Sequence, residues 1–161
     1  MIYLGALVLG FTSGLRAMTP IAGILILRGG IGAILGAVAA IGEYIADASP
    51  KIPSRTALPS IVVRPVSGAI VGWVFASAHG GSAILGASLG VIGAFAGTYG
   101  GHAARLAAIS RIGPLPAAVC EDLVAIALAA VVLLALIPAW RPAFEVFSSG
   151  IKSLSRRSLV L

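Results

Sequence analysis

The chain has 161 residues, of which 59% are apolar and 10% are charged, and its formal net charge is +6. A soluble globular domain has about 25% charged residues and an apolar fraction of about 45–50%, so this chain lacks the polar surface that a water-facing domain needs. The composition excludes a soluble catalytic domain and predicts an integral membrane protein. The sequence has no metal-ligand spacing, no serine–histidine–acid arrangement and no phosphate-binding loop, so we expect a protein that is not an enzyme, with neither a metal nor a cofactor. The positive charge fits loops at an anionic membrane surface and not a nucleic-acid partner.

The first apolar stretch, residues 2–27, is interrupted in its middle by charge, glycine and proline. Gly10, Gly14, Arg16 and Pro20 all fall within it. Proline kinks or breaks a helix, and irregular backbone at membrane depth is tolerated only where protein surrounds it. No basic N-terminal region and no cleavage site accompany the stretch, so we expect an uncleaved membrane helix that is kinked or broken near these residues.

Four further apolar stretches follow, at residues 31–47, 61–78, 82–104 and 117–140. Because a membrane helix needs about 20 apolar residues, the sequence predicts an all-α bundle of five transmembrane helices within residues 1–140. Four or six crossings are the alternatives, if the first helix is re-entrant or the C-terminal tail inserts. Residues 141–161 form a basic tail, predicted as an amphipathic helix on the membrane surface or as disordered chain.

The lysines and arginines do not predict an orientation for these five helices. With Arg16 counted as intramembrane, the loops on each face carry five basic residues. The positive-inside rule needs an asymmetry that is absent here. Balanced charge is compatible with insertion in both directions and with an antiparallel homodimer. We expect a multi-pass protein of a bacterial-type inner (cytoplasmic) membrane that contacts the lipid bilayer and forms a homo-oligomer, with a dimer favoured.

Small residues four positions apart recur along the chain. In lipid, helices associate by close packing and not by hydrophobic exclusion, so pairs of glycines allow two backbones to approach. The most regular run lies in the fourth stretch, where three glycines repeat every four residues toward Arg105. The predicted packing residues are Gly10, Gly14, Gly93, Gly97 and Gly101.

Ionisable residues inside the apolar stretches are the candidate functional residues. Each costs at least about 2.5–3.5 kcal/mol to insert at the centre of a membrane helix, and such residues are rare without a partner or a role. Glu43 and Asp47 lie on one helix face, one turn apart. Glu121 and the adjacent Asp122 point about 100° apart, so only one of them can face a given partner.

These charges have two interpretations. In the first, Arg16 with Glu43 and Glu121 lines a polar cavity that holds an ion or a substrate. In the second, the arginines and carboxylates neutralise one another in buried pairs.

The other charged residues of the apolar stretches are expected at the membrane surface. A long arginine side chain at a helix end can extend to the interface, and a carboxylate at the surface needs no partner. These residues are Arg64, Arg105, Asp47 and Asp122.

Two pairs of stretches resemble each other. In the first and fourth stretches a glycine pair is followed by an arginine, Arg16 or Arg105, although the number of residues between the glycines and the arginine differs. In the second and fifth stretches a small residue is followed by a glutamate, Glu43 or Glu121. Three crossings separate the members of each pair, and an odd separation means opposite orientation. This pattern predicts an inverted-topology repeat, which in transporters places the site near the membrane midplane beside broken helices.

Four segments together resemble the DUF4126 family of small bacterial integral membrane proteins, whose function is unknown. They are residues 13–20, residues 42–47, residues 50–56 and the pair Glu121-Asp122. The resemblance spans about residues 5–135 and leaves out the basic tail. It implies a membrane fold and no particular activity. It directs attention to six candidate residues for binding a substrate or an ion, namely Arg16, Glu43, Asp47, Arg55, Glu121 and Asp122.

The leading functional hypothesis is a small transporter or channel for an ion or a small polar solute. Carboxylates that gain and lose a proton would couple protons to transport, whereas a guanidinium would bind an anion or a phosphate group. One alternative is a non-transporting membrane scaffold or assembly factor whose charges pair the helices. Another is a protein that handles lipid head groups through Lys51 and Arg55 in its proline-rich loop.

Overall fold

The computed structural model describes residues 1–48 and 58–135, with side chains for residues 1–45 and 61–134. Within these ranges the chain forms six helices and no strand, so the predicted all-α class is confirmed. The helices are α1 (Ile2–Leu15), α2 (Met18–Arg28), α3 (Ile31–Ala48), α4 (Leu58–Ala78), α5 (Ala83–Ile112) and α6 (Pro114–Ala135). The described residues do not include Arg55, the side chain of Asp47 or the predicted tail.

Three of the described helices are long and apolar enough to cross a membrane. They are the segment Ile61–Ala78 of α4, the whole of α5, and the segment Pro114–Leu134 of α6. Helices α1, α2 and α3 are also apolar, but their described apolar segments are only 10–17 residues long. An 11-residue helix such as α2 is about 17 Å long, roughly half of a hydrocarbon core. The fold is therefore that of a membrane protein, and the count of five crossings stays a prediction.

The outer surface of the bundle is apolar, as a lipid-facing surface must be. On α3, the side chains of Ile34, Leu35 and Val38 are each more than half exposed, and α6 exposes Leu123 and Val131 to a similar extent. Contiguous apolar surface of this kind marks contact with a membrane or another apolar partner. The apolar side chains that exceed what the core of a soluble protein would hold therefore lie on the outer surface.

The first apolar stretch is broken between α1 and α2, as the sequence predicts. Arg16 takes an extended conformation, with φ −143° and ψ 109°, and α2 begins two residues later. Proline lacks a backbone N–H, and its ring collides with the carbonyl four residues earlier in a helix. For Pro20 that carbonyl belongs to Arg16. The proline therefore accounts for the position of the break.

Helix α5 packs closely against α1 through glycines. A Cβ atom added to Gly10 would collide with the backbone of Gly90, and one added to Gly97 would collide with the carbonyl of Phe11. Gly93 likewise lies against backbone of α1. The two helix backbones are in direct contact, which is the close approach that small residues permit in lipid.

The remaining predicted packing glycines also lie at this interface. Gly14 touches the backbone of α5 at Ala94 and Gly97, whereas Gly101 meets the side chain of Leu15. Gly101 of α5 therefore accommodates a side chain and not a backbone, because it lies opposite Leu15, the last residue of α1.

Helix α4 joins α5 through a second glycine contact. Gly72 packs on the backbone of Gly86, and Gly68 packs on the backbone of Gly90. Gly90 consequently contacts α1 at Gly10 and α4 at Gly68. The three helices α1, α4 and α5 form a tightly packed core, and this core positions the residues around the helix break.

The other helices are attached to this core to different extents. Helix α6 packs against α1, α5 and α2, whereas the backbone of α3 approaches only that of α2 among the described helices. Helix α5 runs unbroken through Arg105, unlike the first stretch, which is broken at Arg16. The break therefore has no counterpart in α5, and the inverted repeat stays a prediction.

We expect Gly90→Ala to destabilise the protein by about 1–3 kcal/mol, the usual effect of overpacking. The added methyl group would meet the Gly68 carbonyl, and neither backbone can move without separating two helices. Gly100→Ala is the matched control, because nothing lies within 4 Å of a Cβ atom at Gly100 and alanine favours a helix. Unfolding followed by helical circular dichroism in detergent measures both. Equal stability of the two variants would contradict the packing described above.

Candidate functional site at the helix break

The break between α1 and α2 leaves backbone polar groups without helical partners. The last carbonyl groups of α1 and the first N–H groups of α2 cannot bond within their own helices. In a membrane each such group costs several kcal/mol unless protein satisfies it. The side chains that satisfy these groups therefore define a site, and they come from helices distant in sequence.

Glu43 of α3 caps the beginning of α2. Its Oε1 accepts a hydrogen bond from the Ala17 N–H and its Oε2 accepts one from the Met18 N–H, both at 2.8 Å. Ala17 occupies the N-cap position and has no side-chain acceptor of its own. Because the N-terminus of a helix carries a partial positive charge, a carboxylate is the most favourable cap. A residue of another helix thus supplies what the local sequence lacks.

Arg64 of α4 satisfies the end of α1. Its Nη1 donates to the Gly14 carbonyl at 2.7 Å, and the Thr98 hydroxyl lies 3.3 Å from the same oxygen. Arg64 is only 3% exposed. The expectation that it extends to the membrane surface is therefore wrong. The C-terminus of a helix carries a partial negative charge, which favours a guanidinium at this position.

Arg16, the residue at the break itself, pairs with Asp122 of α6. Its Nε donates to Oδ1 of Asp122 at 2.7 Å, and its Nη2 donates to the same oxygen. The ring centre of Tyr44 lies 4.9 Å from Cζ of Arg16, within the range of a cation–π contact. Arg16 is 2% exposed and Asp122 is 26% exposed. Asp122 was expected at the membrane surface, but it is the acidic partner of the buried arginine.

Glu121 pairs with Arg105 on the other side of α6. Nη1 of Arg105 donates to Oε2 of Glu121 at 3.2 Å. The glutamate is 8% exposed and the arginine 21% exposed, so Arg105 is also more buried than expected for a surface residue. The two adjacent carboxylates of α6 therefore face different arginines. This agrees with the angle of about 100° between neighbouring residues of a helix.

Further hydroxyl groups complete the polar surroundings of the break. The Ser67 hydroxyl donates to the Ala17 carbonyl at 2.5 Å, and the hydroxyls of Thr19 and Tyr44 are 2.9 Å apart. Among the described residues, no buried side-chain nitrogen or oxygen lacks a hydrogen-bond partner. The polar groups at the break are therefore bound by the protein's own side chains.

The structure brings together some of the predicted site residues and adds others. Arg16, Glu43 and Asp122 meet at the break, while Glu121 lies one residue away toward α5. The side chain of Asp47 and the whole of Arg55 fall outside the described residues. Sequence reasoning missed three residues that hydrogen-bond at the break, Arg64, Ser67 and Thr98. The one sequence feature that could have indicated them is that each is a polar residue within an apolar stretch, and this feature does not predict a partner.

Two cavities flank the break. One, of about 250 Å³, reaches Leu15 in the last turn of α1 and continues between α5 and α6. The other, of about 290 Å³, reaches Thr19 in the first turn of α2 and lies between α2, α3 and α6. Both have mostly apolar walls. Space for movement therefore exists on each side of the polar site.

Comparison with known proteins adds no family to these observations, because no family model, no curated protein and no solved structure matches the chain. The resemblance to the DUF4126 family accordingly stays a prediction.

We expect Arg16→Gln to destabilise the protein by about 3 kcal/mol, because the change removes a buried cation and leaves the partly buried Asp122 without its partner. Arg28→Gln is the matched control. Arg28 is exposed at the end of α2, and such a surface change stays within about 0.5 kcal/mol.

The double variant R16Q/D122N is expected to recover part of the loss, since no uncompensated charge remains. Stability measured by unfolding in mixed micelles distinguishes these cases. Equal stability of R16Q and R28Q would show that the ion pair does not hold α6 to the break.

Proposed function

We propose that the chain is a small integral membrane transporter or channel for an ion or a small polar solute, and that its binding site is the break between α1 and α2. One observation carries the proposal: both half-helix ends at the break are occupied by ionisable side chains from other helices, Glu43 and Arg64. Transporters use the ends of discontinuous helices to bind substrates and coupling ions near the membrane midplane.

Each of these side chains stands where a solute of like charge would bind. The N–H groups of Ala17 and Met18 form an anion site that the Glu43 carboxylate now occupies. The Gly14 carbonyl is an oxygen ligand of the kind that coordinates cations, and the Arg64 guanidinium now occupies it. A solute enters the site by exchanging with one of these side chains.

Helix α3 is the element best suited to move. Its backbone packs only against α2 among the described helices. Its polar links to the break come from Glu43, which bonds the start of α2, and from Tyr44, which contacts Thr19 and Arg16. An anion that displaces the Glu43 carboxylate from the start of α2 would break both of its hydrogen bonds. Occupation of the site and release of α3 would therefore be one event.

A scaffold or assembly factor is the second candidate. It is favoured by the complete pairing of buried polar side-chain atoms among the described residues. In that case the ion pairs hold the helices together, and the break is a structural feature without a solute. The two functions differ in one measurable respect, which is flux.

We expect the purified protein in proteoliposomes to conduct or exchange at least one member of a panel of sodium, potassium, protons, chloride and phosphate. Glu43→Gln is expected to reduce that flux at least about tenfold, a change of about 1.4 kcal/mol in the barrier. Glutamine cannot gain or lose a proton, and its amide nitrogen cannot accept from an N–H group.

Arg28→Gln, which changes an exposed residue away from the break, should leave the flux unchanged. Helical circular dichroism and thermal unfolding of each variant separate a loss of flux from a loss of fold. A wild-type protein that passes no member of the panel above the level of protein-free liposomes would overturn the transport proposal and favour the scaffold.

A further inference from the structure

A groove between α5 and α6 is separate from the polar site at the break. It is the cavity of about 250 Å³, whose floor is formed by Phe11 and Leu15 of α1. Its walls include the exposed residues Gly100 and Cys120, so the groove opens on the outer surface of the bundle. The neighbouring outer surface is apolar, with Leu123 more than half exposed. The groove therefore opens onto an apolar surface of the kind that contacts a membrane.

One end of this groove carries positive charge. The Arg105–Glu121 ion pair forms part of its wall. Ala104 and Ala108 line it as well, and Arg111 follows them at the i, i+4, i+7 spacing of a single helix face. Arg111 is exposed in the last turn of α5. Two arginines and one glutamate thus stand at this end, which leaves a net positive charge.

The charged end lies at the depth of lipid head groups. Arg105 comes 22 residues after Ala83, the first residue of α5, which is about 33 Å along the helix. The hydrocarbon core is about 30 Å thick. A helix that enters the core near Ala83 therefore reaches the opposite interface near Arg105. On this scale the apolar part of the groove is level with acyl chains, Arg105 is level with phosphates, and Arg111 lies about 9 Å further along the helix, where its long side chain can extend back toward the head groups.

Arg105 also has donors available to a ligand. Its one described hydrogen bond uses Nη1, toward Glu121. A guanidinium carries five N–H donors in a planar fork that matches two phosphate oxygens. Nε and Nη2 of Arg105 are thus free, among the described contacts, to meet an anion without breaking the ion pair.

We propose that the groove is a binding site for an anionic phospholipid. One acyl chain lies between α5 and α6, over Phe11 and Leu15, and the phosphate accepts hydrogen bonds from Arg105 and Arg111. Basic pockets between membrane helices are the places where anionic head groups bind. This site is distinct from the helix break, and the proposal holds whether or not the protein transports a solute.

Charge favours a lipid over a segment of the chain itself as the occupant. Residues 141–161 carry Arg141, Lys152, Arg156 and Arg157 against the single acid Glu145. Such a segment repels the arginines at the charged end of the groove, whereas an anionic head group is attracted to them. The complementary occupant is therefore the lipid.

The single cysteine of the chain provides the test. Cys120 lines the groove and is exposed, so a bound acyl chain should shield its thiol from a maleimide. We expect the full chain in nanodiscs of phosphatidylcholine to be alkylated several-fold faster than in nanodiscs that also contain phosphatidylglycerol. Native mass spectrometry should detect phosphatidylglycerol retained by the protein. Inorganic phosphate, added to the phosphatidylcholine nanodiscs, should give no protection.

Two variants with matched controls locate the bound lipid. Arg111→Gln should reduce protection and retention, whereas Arg28→Gln should not. Gly100→Leu places a side chain in the groove and should abolish retention, whereas Gly42→Leu should not. A Cβ atom at Gly100 or at Gly42 meets nothing within 4 Å, so both variants are expected to fold.

Three results would each overturn the proposal. The first is equal alkylation in the two kinds of nanodisc, and the second is retention that Gly100→Leu leaves unchanged. The third is full protection of Cys120 in lipid-free detergent, which would assign the groove to the chain itself. Loss of lipid retention without loss of flux, or the reverse, would show that the two proposed sites are separate.

Discussion

The cost of leaving backbone groups unsatisfied in lipid governs the polar architecture of this protein. The chain breaks at Arg16, four residues before Pro20, so N–H and carbonyl groups on either side have no partners within their own helices. Side chains of other helices bind them instead. Glu43 and Arg64 provide them, each at the helix end whose partial charge is opposite to its own. The presence of Glu43 and Arg64 in so apolar a chain is therefore explained first by the backbone groups at the break that they bind.

Helix packing and the polar site depend on each other. Gly14 lies directly against the backbone of α5 at Ala94 and Gly97, and the same contact brings the Thr98 hydroxyl to the Gly14 carbonyl. Gly68 brings α4 against α5, one turn from Arg64, whose guanidinium reaches that carbonyl. Small residues allow the backbones to approach closely, and the close approach brings the polar groups within hydrogen-bond distance. A larger residue in this core would therefore alter the polar site as well as the packing.

The described helices differ in how many other helices their backbones contact. Helices α1, α4 and α5 share backbone contacts through Gly10, Gly68 and Gly90, whereas α3 packs only on α2 among the described helices. The polar link of α3 to the break passes through Glu43 and Tyr44, so the least constrained helix carries the residue that caps the half-helix. Helix α6 contributes to two places, because its adjacent carboxylates face different arginines. Asp122 contributes to the break, and Glu121 lines the groove between α5 and α6.

Properties that depend on the order of residues along one helix were accessible from the sequence. These include the apolar stretches, the break before Pro20, the glycine spacing and the divergence of Glu121 from Asp122, because helical period and proline stereochemistry are local. Only the tertiary structure decided which carboxylate meets Arg16 and that Arg64 is buried. Those outcomes depend on which helices become neighbours and at what height, and many small residues allow several such arrangements. The sequence by itself determined that charges lie within apolar stretches, and packing determined their partners.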